Sequence, residues 1–119
     1  VVRRYPNSRY AADARQRMIF LRNRLARHEL NVGLYYLRRD AYVAAANRGK
    51  YILQTYPQSE HDGDALALMA SAYTALGQDE LAANSRKVLE TNYPQHPYLS
   101  GDWPDGQGIL SKLNPFSGQ

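Results

Sequence analysis

The sequence predicts an all-α fold of stacked helical hairpins, an α-solenoid ending in an irregular tail. Three observations carry that prediction: a repeat at 37 residues, an unbroken helical periodicity near the start, and no competing strand pattern. Tyr36, Ala45, Ala46, Asn47, Lys50, Tyr56, Pro57 and Gln58 recur as Tyr73, Ala82, Ala83, Asn84, Lys87, Tyr93, Pro94 and Gln95. Val32 and Met69, Gly33 and Ala70, and Ile52 and Leu89 are conservative pairs at the same spacing. A period in the thirties is the mark of hairpins that bury their apolar faces against one another.

The elements follow in order. Residues 1–7 read as the end of a preceding repeat, closed by Tyr5-Pro6, and the opening Val1-Val2-Arg3-Arg4 suggests a piece of a longer precursor. A first helix is expected from about Ser8 to Arg39. Its apolar seam is predicted along Ala14, Met18, Leu21, Leu25, His28, Val32 and Tyr35, which recur at alternating spacings of four and three. A second helix is expected over Ala41–Tyr56 and completes a unit spanning 8–57. Pro57 stops it, because proline lacks the amide donor and disfavours helical geometry in the residue before it. Ser59 with Asp62 resembles a capping box opening a third helix that ends near Leu76-Gly77. A fourth helix, about Asp79 to Asn92, completes a unit spanning 58–97. The tail, 98–119, holds Pro104, Pro115 and several glycines and is expected to be extended or disordered. Ile109–Leu113 is its one helix-like piece, and two readings are open for Trp103 and Phe116, anchors on a neighbouring surface or incidental aromatics of a terminus.

Composition narrows the function. The chain has no Cys, which removes disulfides, redox motifs and thiolate metal sites. No apolar run is long enough to span a bilayer. The net charge of +4 divides into +9 over residues 1–50 and −5 over residues 51–119. Such a dipolar chain can offer a basic face to an acidic partner, or simply carry a solvated helix face. His28, His61 and His96 fall in separate elements without ligand spacing, and His61 beside Asp62 and Asp64 reads as a solvated helix N-terminus. There is no phosphate loop or nucleophile elbow, so neither catalytic residues, metal nor cofactor are expected and the chain is read as a non-enzyme. Arg9, Arg15, Arg17, Arg22, Arg24 and Arg27 could follow a phosphate backbone, but they do not form one stripe and no nucleic-acid module accompanies them. Protein is therefore the expected partner. Tyr35, Tyr42 and Tyr51 have no tyrosine one period on, so a partner surface and core packing are both open to them. Arg48, with Ser85 one period on, is either an interface anchor for a carboxylate or an ordinary surface residue.

The order of small residue, aromatic, Ala and closing Pro resembles the tetratricopeptide (TPR) consensus. More specifically, Tyr5-Pro-Asn-Ser-Arg-Tyr-Ala-Ala-Asp-Ala, Leu21-Arg-Asn-Arg-Leu-Ala, Tyr35-Tyr36 and Ala41-Tyr-Val-Ala-Ala-Ala-Asn-Arg resemble the BamD family. These are the TPR lipoproteins of the bacterial outer-membrane β-barrel assembly machinery, and the likeness covers residues 1 to about 95, matching the C-terminal part of the family's repeat domain. The resemblance implies a protein at the periplasmic face of the outer membrane, held by an N-terminal lipid anchor that this sequence does not contain. It implies a scaffold whose C-terminal repeats dock on the POTRA region of BamA and on accessory lipoproteins. Arg48 matches the family arginine that faces an acidic residue of BamA, and Arg38, Arg39, Tyr42 and Tyr51 join it as partner-binding candidates by proximity. The alternative is a periplasmic TPR adaptor with the same fold and other partners.

Overall fold

A computed structural model describes residues 9–104 of the chain. These form α1 (Arg9–Arg38), α2 (Tyr42–Thr55), α3 (Asp62–Ala75), α4 (Asp79–Asn92) and the short α5 (Pro97–Ser100), with no strand among the described residues. α1 to α4 pack consecutively as antiparallel hairpins, and α3 also touches α1, so α3 rests on the α1–α2 pair. The repeated-hairpin reading of the sequence is the observed architecture.

The 37-residue period is written into the backbone as well as the side chains. The α1–α2 turn places Asp40 at φ +63°, and the α3–α4 turn places Gly77 at φ +77°. Around Asp40 the Ala41 amide donates to the Tyr36 carbonyl at 2.9 Å and the Asp40 amide to Leu37 at 3.1 Å. Around Gly77 the Gln78 amide donates to Tyr73 at 2.9 Å and the Gly77 amide to Thr74 at 3.1 Å. Both are Schellman endings, which satisfy otherwise orphaned helix carbonyls by passing one residue through the left-handed region. At the other end of each second helix, the amides of Tyr56 and Tyr93 donate to Ile52 and Leu89. The following proline prevents further winding.

The core is small-residue packing between α1, α2 and α3. Ala26, Leu30, Ala45, Ala46, Ile52, Ala65, Leu68 and Ala72 are buried, with Tyr36, Tyr56 and Tyr73 against their rim. Close approach requires the small residues: a Cβ on Gly49 would lie 2.9 Å from the Ala65 carbonyl oxygen and 2.7 Å from Met69. A Cβ on Gly33 would collide with Leu68.

The expected seam of α1 is corrected. Met18, Leu21, Leu25 and Tyr35 lie half or more exposed, whereas Ala11, Ala26, Leu30 and Gly33 are buried. The helix carries two apolar stripes, and periodicity measures their spacing without saying which one meets a neighbour. Repeat symmetry supplies the reason. His28 and Val32 stand one period before Ala65 and Met69, which α3 turns toward Gly49 of α2. On α1 that face has no earlier helix against it among the described residues.

Two further expectations change. Ser59 does not cap α3 in the expected way. Its hydroxyl accepts from the His61 amide at 3.2 Å and donates to Asp62 Oδ1 at 3.0 Å, while Asp62 Oδ2 accepts from the Gln58 amide at 2.8 Å. The side chains thus brace the turn before the helix, because Ser59 lies three residues ahead of the first helical residue. The tail is packed as far as it is described. Tyr98, Leu99 and Trp103 lie against buried Leu66, Ala67 and Leu89. Residues 1–8, with Tyr5-Pro6, and residues 105–119, with Ile109–Leu113 and Phe116, lie outside the described part.

Candidate protein-docking site

The site is built on the crossing of α1 and α2. Gly33 leaves α1 bare where α2 passes, and the stem of Arg48 lies over it, its Cβ and Cγ each 3.4 Å from where a Gly33 Cβ would stand. The guanidinium Nη1 donates to Glu29 Oε1 at 2.6 Å, pairing side chains that are 32% and 17% exposed. Its central carbon also lies 5.6 Å from the centre of the Tyr51 ring. A groove of about 320 Å³ opens beside it, lined by Tyr36, Ala44, Asn47, Arg48 and Tyr51. Tyr51 meets Tyr56 edge to face at 6.2 Å.

Burial, then the neighbouring Tyr51 and Glu29, push the Tyr56 hydroxyl above the ordinary tyrosine value. Tyr56, behind Tyr51, therefore keeps its phenol proton at neutral pH. Such a groove can receive an acidic side chain with an apolar neighbour, since a guanidinium binds carboxylates through paired N–H groups.

The remaining sequence-predicted residues sit elsewhere. Arg38 is exposed in the last turn of α1. Arg39 stacks on Tyr35, its guanidinium carbon 4.6 Å from the ring centre. The Tyr42 hydroxyl donates to Asp40 Oδ1 at 2.9 Å, and that bond, with burial and the carboxylate charge, raises its pKa. Arg48 and Tyr51 thus share the groove, while Arg38, Arg39 and Tyr42 belong to the α1–α2 turn.

Sequence reasoning missed Glu29, Tyr36 and Asn47 as site residues. A signal for Glu29 was present. Glu29 and Arg48 depart from the repeat together, having Leu66 and Ser85 one period on, and both of those are buried.

A second polar cluster lies at the start of α3. Asp64 Oδ1 accepts from His96 Nε2 at 2.7 Å and from Trp103 Nε1 at 3.2 Å, and His96 Nδ1 accepts from the Tyr98 amide at 3.1 Å. His61 Nδ1 lies 3.4 Å from the other Asp64 oxygen. These bonds tie the tail segment to α3. Among the described residues no group of His, Asp and Glu has the arrangement of a metal site.

Comparison with known proteins gives a consistent picture. The family model described as outer membrane lipoprotein (YfiO) matches residues 1–99. The outer membrane protein assembly factor BamD of Xylella fastidiosa (strain 9a5c) is 56% identical over the whole chain, which covers 41% of that protein. BamD of Neisseria meningitidis serogroup A is 46% identical over 88% of the chain and 40% of its own length. BamD of Haemophilus influenzae is 40% identical over 77% of the chain and 35% of its own length. The chain therefore spans about two fifths of the length of the Xylella and Neisseria relatives it matches.

Proposed function

This chain belongs to the BamD family of outer-membrane lipoproteins, and from that premise we propose that it is a non-catalytic scaffold in outer-membrane protein assembly. Its two repeat units, 8–57 and 58–97, follow the end of a preceding repeat. They dock on the POTRA region of BamA and support accessory lipoproteins of the same machinery. The working place is the periplasmic face of the outer membrane, where a lipid anchor on the parent polypeptide would hold it; no described helix is long and apolar enough to cross a membrane.

The observation that carries this reading is the Arg48 groove. Among the described residues Arg48 makes one side-chain ion pair, through Nη1, and it remains partly exposed between tyrosines. Arg and Tyr are the residues that dominate protein interfaces, because each combines large contact area with a polar end. The reading requires no cofactor.

Calorimetric titration of this chain with the membrane-proximal POTRA domain of its cognate BamA tests it. Arg48→Glu alone would set two carboxylates side by side at Glu29 and confound folding with binding. The better variant is Glu29→Leu with Arg48→Ser, which transplants the residues one period on. Binding by wild type with a loss of about 2 kcal/mol or more in the double variant is expected. Equal binding by the two would move the interface away from the groove. No binding by folded wild type would defeat the BamA assignment for this segment and favour an adaptor with other partners.

A further inference from the structure

We infer that Glu29 is a positioning residue for partner recognition: it holds the Arg48 guanidinium from behind, so that a partner's Asp or Glu side chain can enter the groove between Tyr36 and Tyr51. The inference deepens the proposed docking function and rests on it.

The repeat supplies its own control. One period on, the same two positions are held by Leu66 and Ser85, so the hairpin geometry itself does not demand an ion pair. Partly burying a carboxylate and a guanidinium costs desolvation that an apolar pair would avoid, so such a pair is weak evidence for a stability role. Its geometry supports a different purpose. Glu29 is mostly buried and is not among the residues lining the groove, whereas Arg48 is. The carboxylate engages Nη1. The Nε and Nη2 donors make no hydrogen bond among the described residues, and they form the edge that pairs bidentately with a carboxylate. Gly33 supports the stem from below and Tyr51 flanks the head. Glu29 fixes the remaining rotation.

A long side chain immobilised before binding spares the complex that ordering cost. The negative charge of Glu29 acts in the opposite direction, since it repels an incoming carboxylate. Two substitutions separate these effects. Glu29→Leu removes both charge and acceptor while keeping a residue the repeat already accepts. Glu29→Gln removes the charge and keeps an oxygen for Nη1.

The experiment measures association and dissociation rates of wild type, Glu29→Leu and Glu29→Gln with the same POTRA domain. Melting temperature and the Arg48 side-chain Nε–Hε NMR signal are recorded on each. Glu29→Leu is expected to bind roughly three- to tenfold more weakly, mainly through faster dissociation, with loss of the restrained Arg48 signal. Glu29→Gln is expected to restore most of both, a rescue that a purely structural role would not produce in the Arg48 signal. Glu29→Leu binding as tightly as wild type, or tighter, would overturn the inference and leave the docking reading intact. A wild type that does not bind would defeat the docking reading, and this inference with it.

Discussion

Trp103 offers a demanding test of how the described tail segment is held. The chain has one tryptophan. Its ring meets Tyr98 edge to face at 6.2 Å and lies against the α1–α2–α3 core and the Leu66, Ala67 and Leu89 cluster. Its indole N–H donates to Asp64 at 3.2 Å. Truncating a core Trp to Ala costs about 3–5 kcal/mol. Trp103 is only partly buried, so Trp103→Ala should cost about half of that, ~2 kcal/mol. For a domain of this size, such a loss lowers the melting temperature by roughly 10 °C. Trp103→Phe keeps most of the ring and removes the donor, while Asp64 retains His96. That change should cost about 1 kcal/mol. Urea titration followed by far-ultraviolet circular dichroism reads both variants. Fluorescence of wild-type Trp103 should show a blue-shifted native emission that reddens on unfolding. A Trp103→Ala variant within about 0.5 kcal/mol of wild type, the range of unremarkable surface changes, would refute the packed tail. So would a native emission already at the solvated position.

Other predictions concern the glycines and the tyrosines. Gly77 has positive φ and nothing within 4 Å of an added Cβ, so Gly77→Ala should cost ~1–2 kcal/mol through the backbone alone. Gly33→Ala drives a methyl into Leu68 and against the Arg48 stem, and should cost about 1–3 kcal/mol in urea titrations and also weaken POTRA binding. Burial, then Asp62, raises Tyr93, burial foremost raises Tyr56, and the hydrogen bond to Asp40 foremost raises Tyr42. A group whose folded pKa is raised stabilises fully below its unfolded value. That stability is lost as pH climbs past about 10 and through the higher folded values. Absorbance titration should therefore show a tyrosine fraction ionising late in the folded chain and normally in urea, and coincident curves would contradict the assigned environments.

The local rules of the chain were legible in its sequence. Gly77 and the prolines after Tyr56 and Tyr93 mark helix ends through backbone geometry, which is a property of single residues. The Asp40 turn was less legible, because its left-handed conformation is declared only by comparison with Gly77 one period later. Arg48 and Tyr51 could be singled out as departures from the repeat. Glu29 departs from it too, but it lies 19 residues before Arg48, and only the crossing of the helices shows that the two meet. Trp103 stood out as a possible anchor, but its receiver, Asp64, lies 39 residues earlier.

By itself, then, the sequence determined the four main helices, their period and the all-α repeat class, because these follow from residue spacing and short-range backbone constraints, whereas α5 falls in the segment it reads as irregular. The tertiary structure decided which of the two apolar stripes on α1 is buried, which carboxylate holds Arg48, and where Trp103 rests. Each of those depends on a meeting between distant segments, which spacing along one helix does not encode.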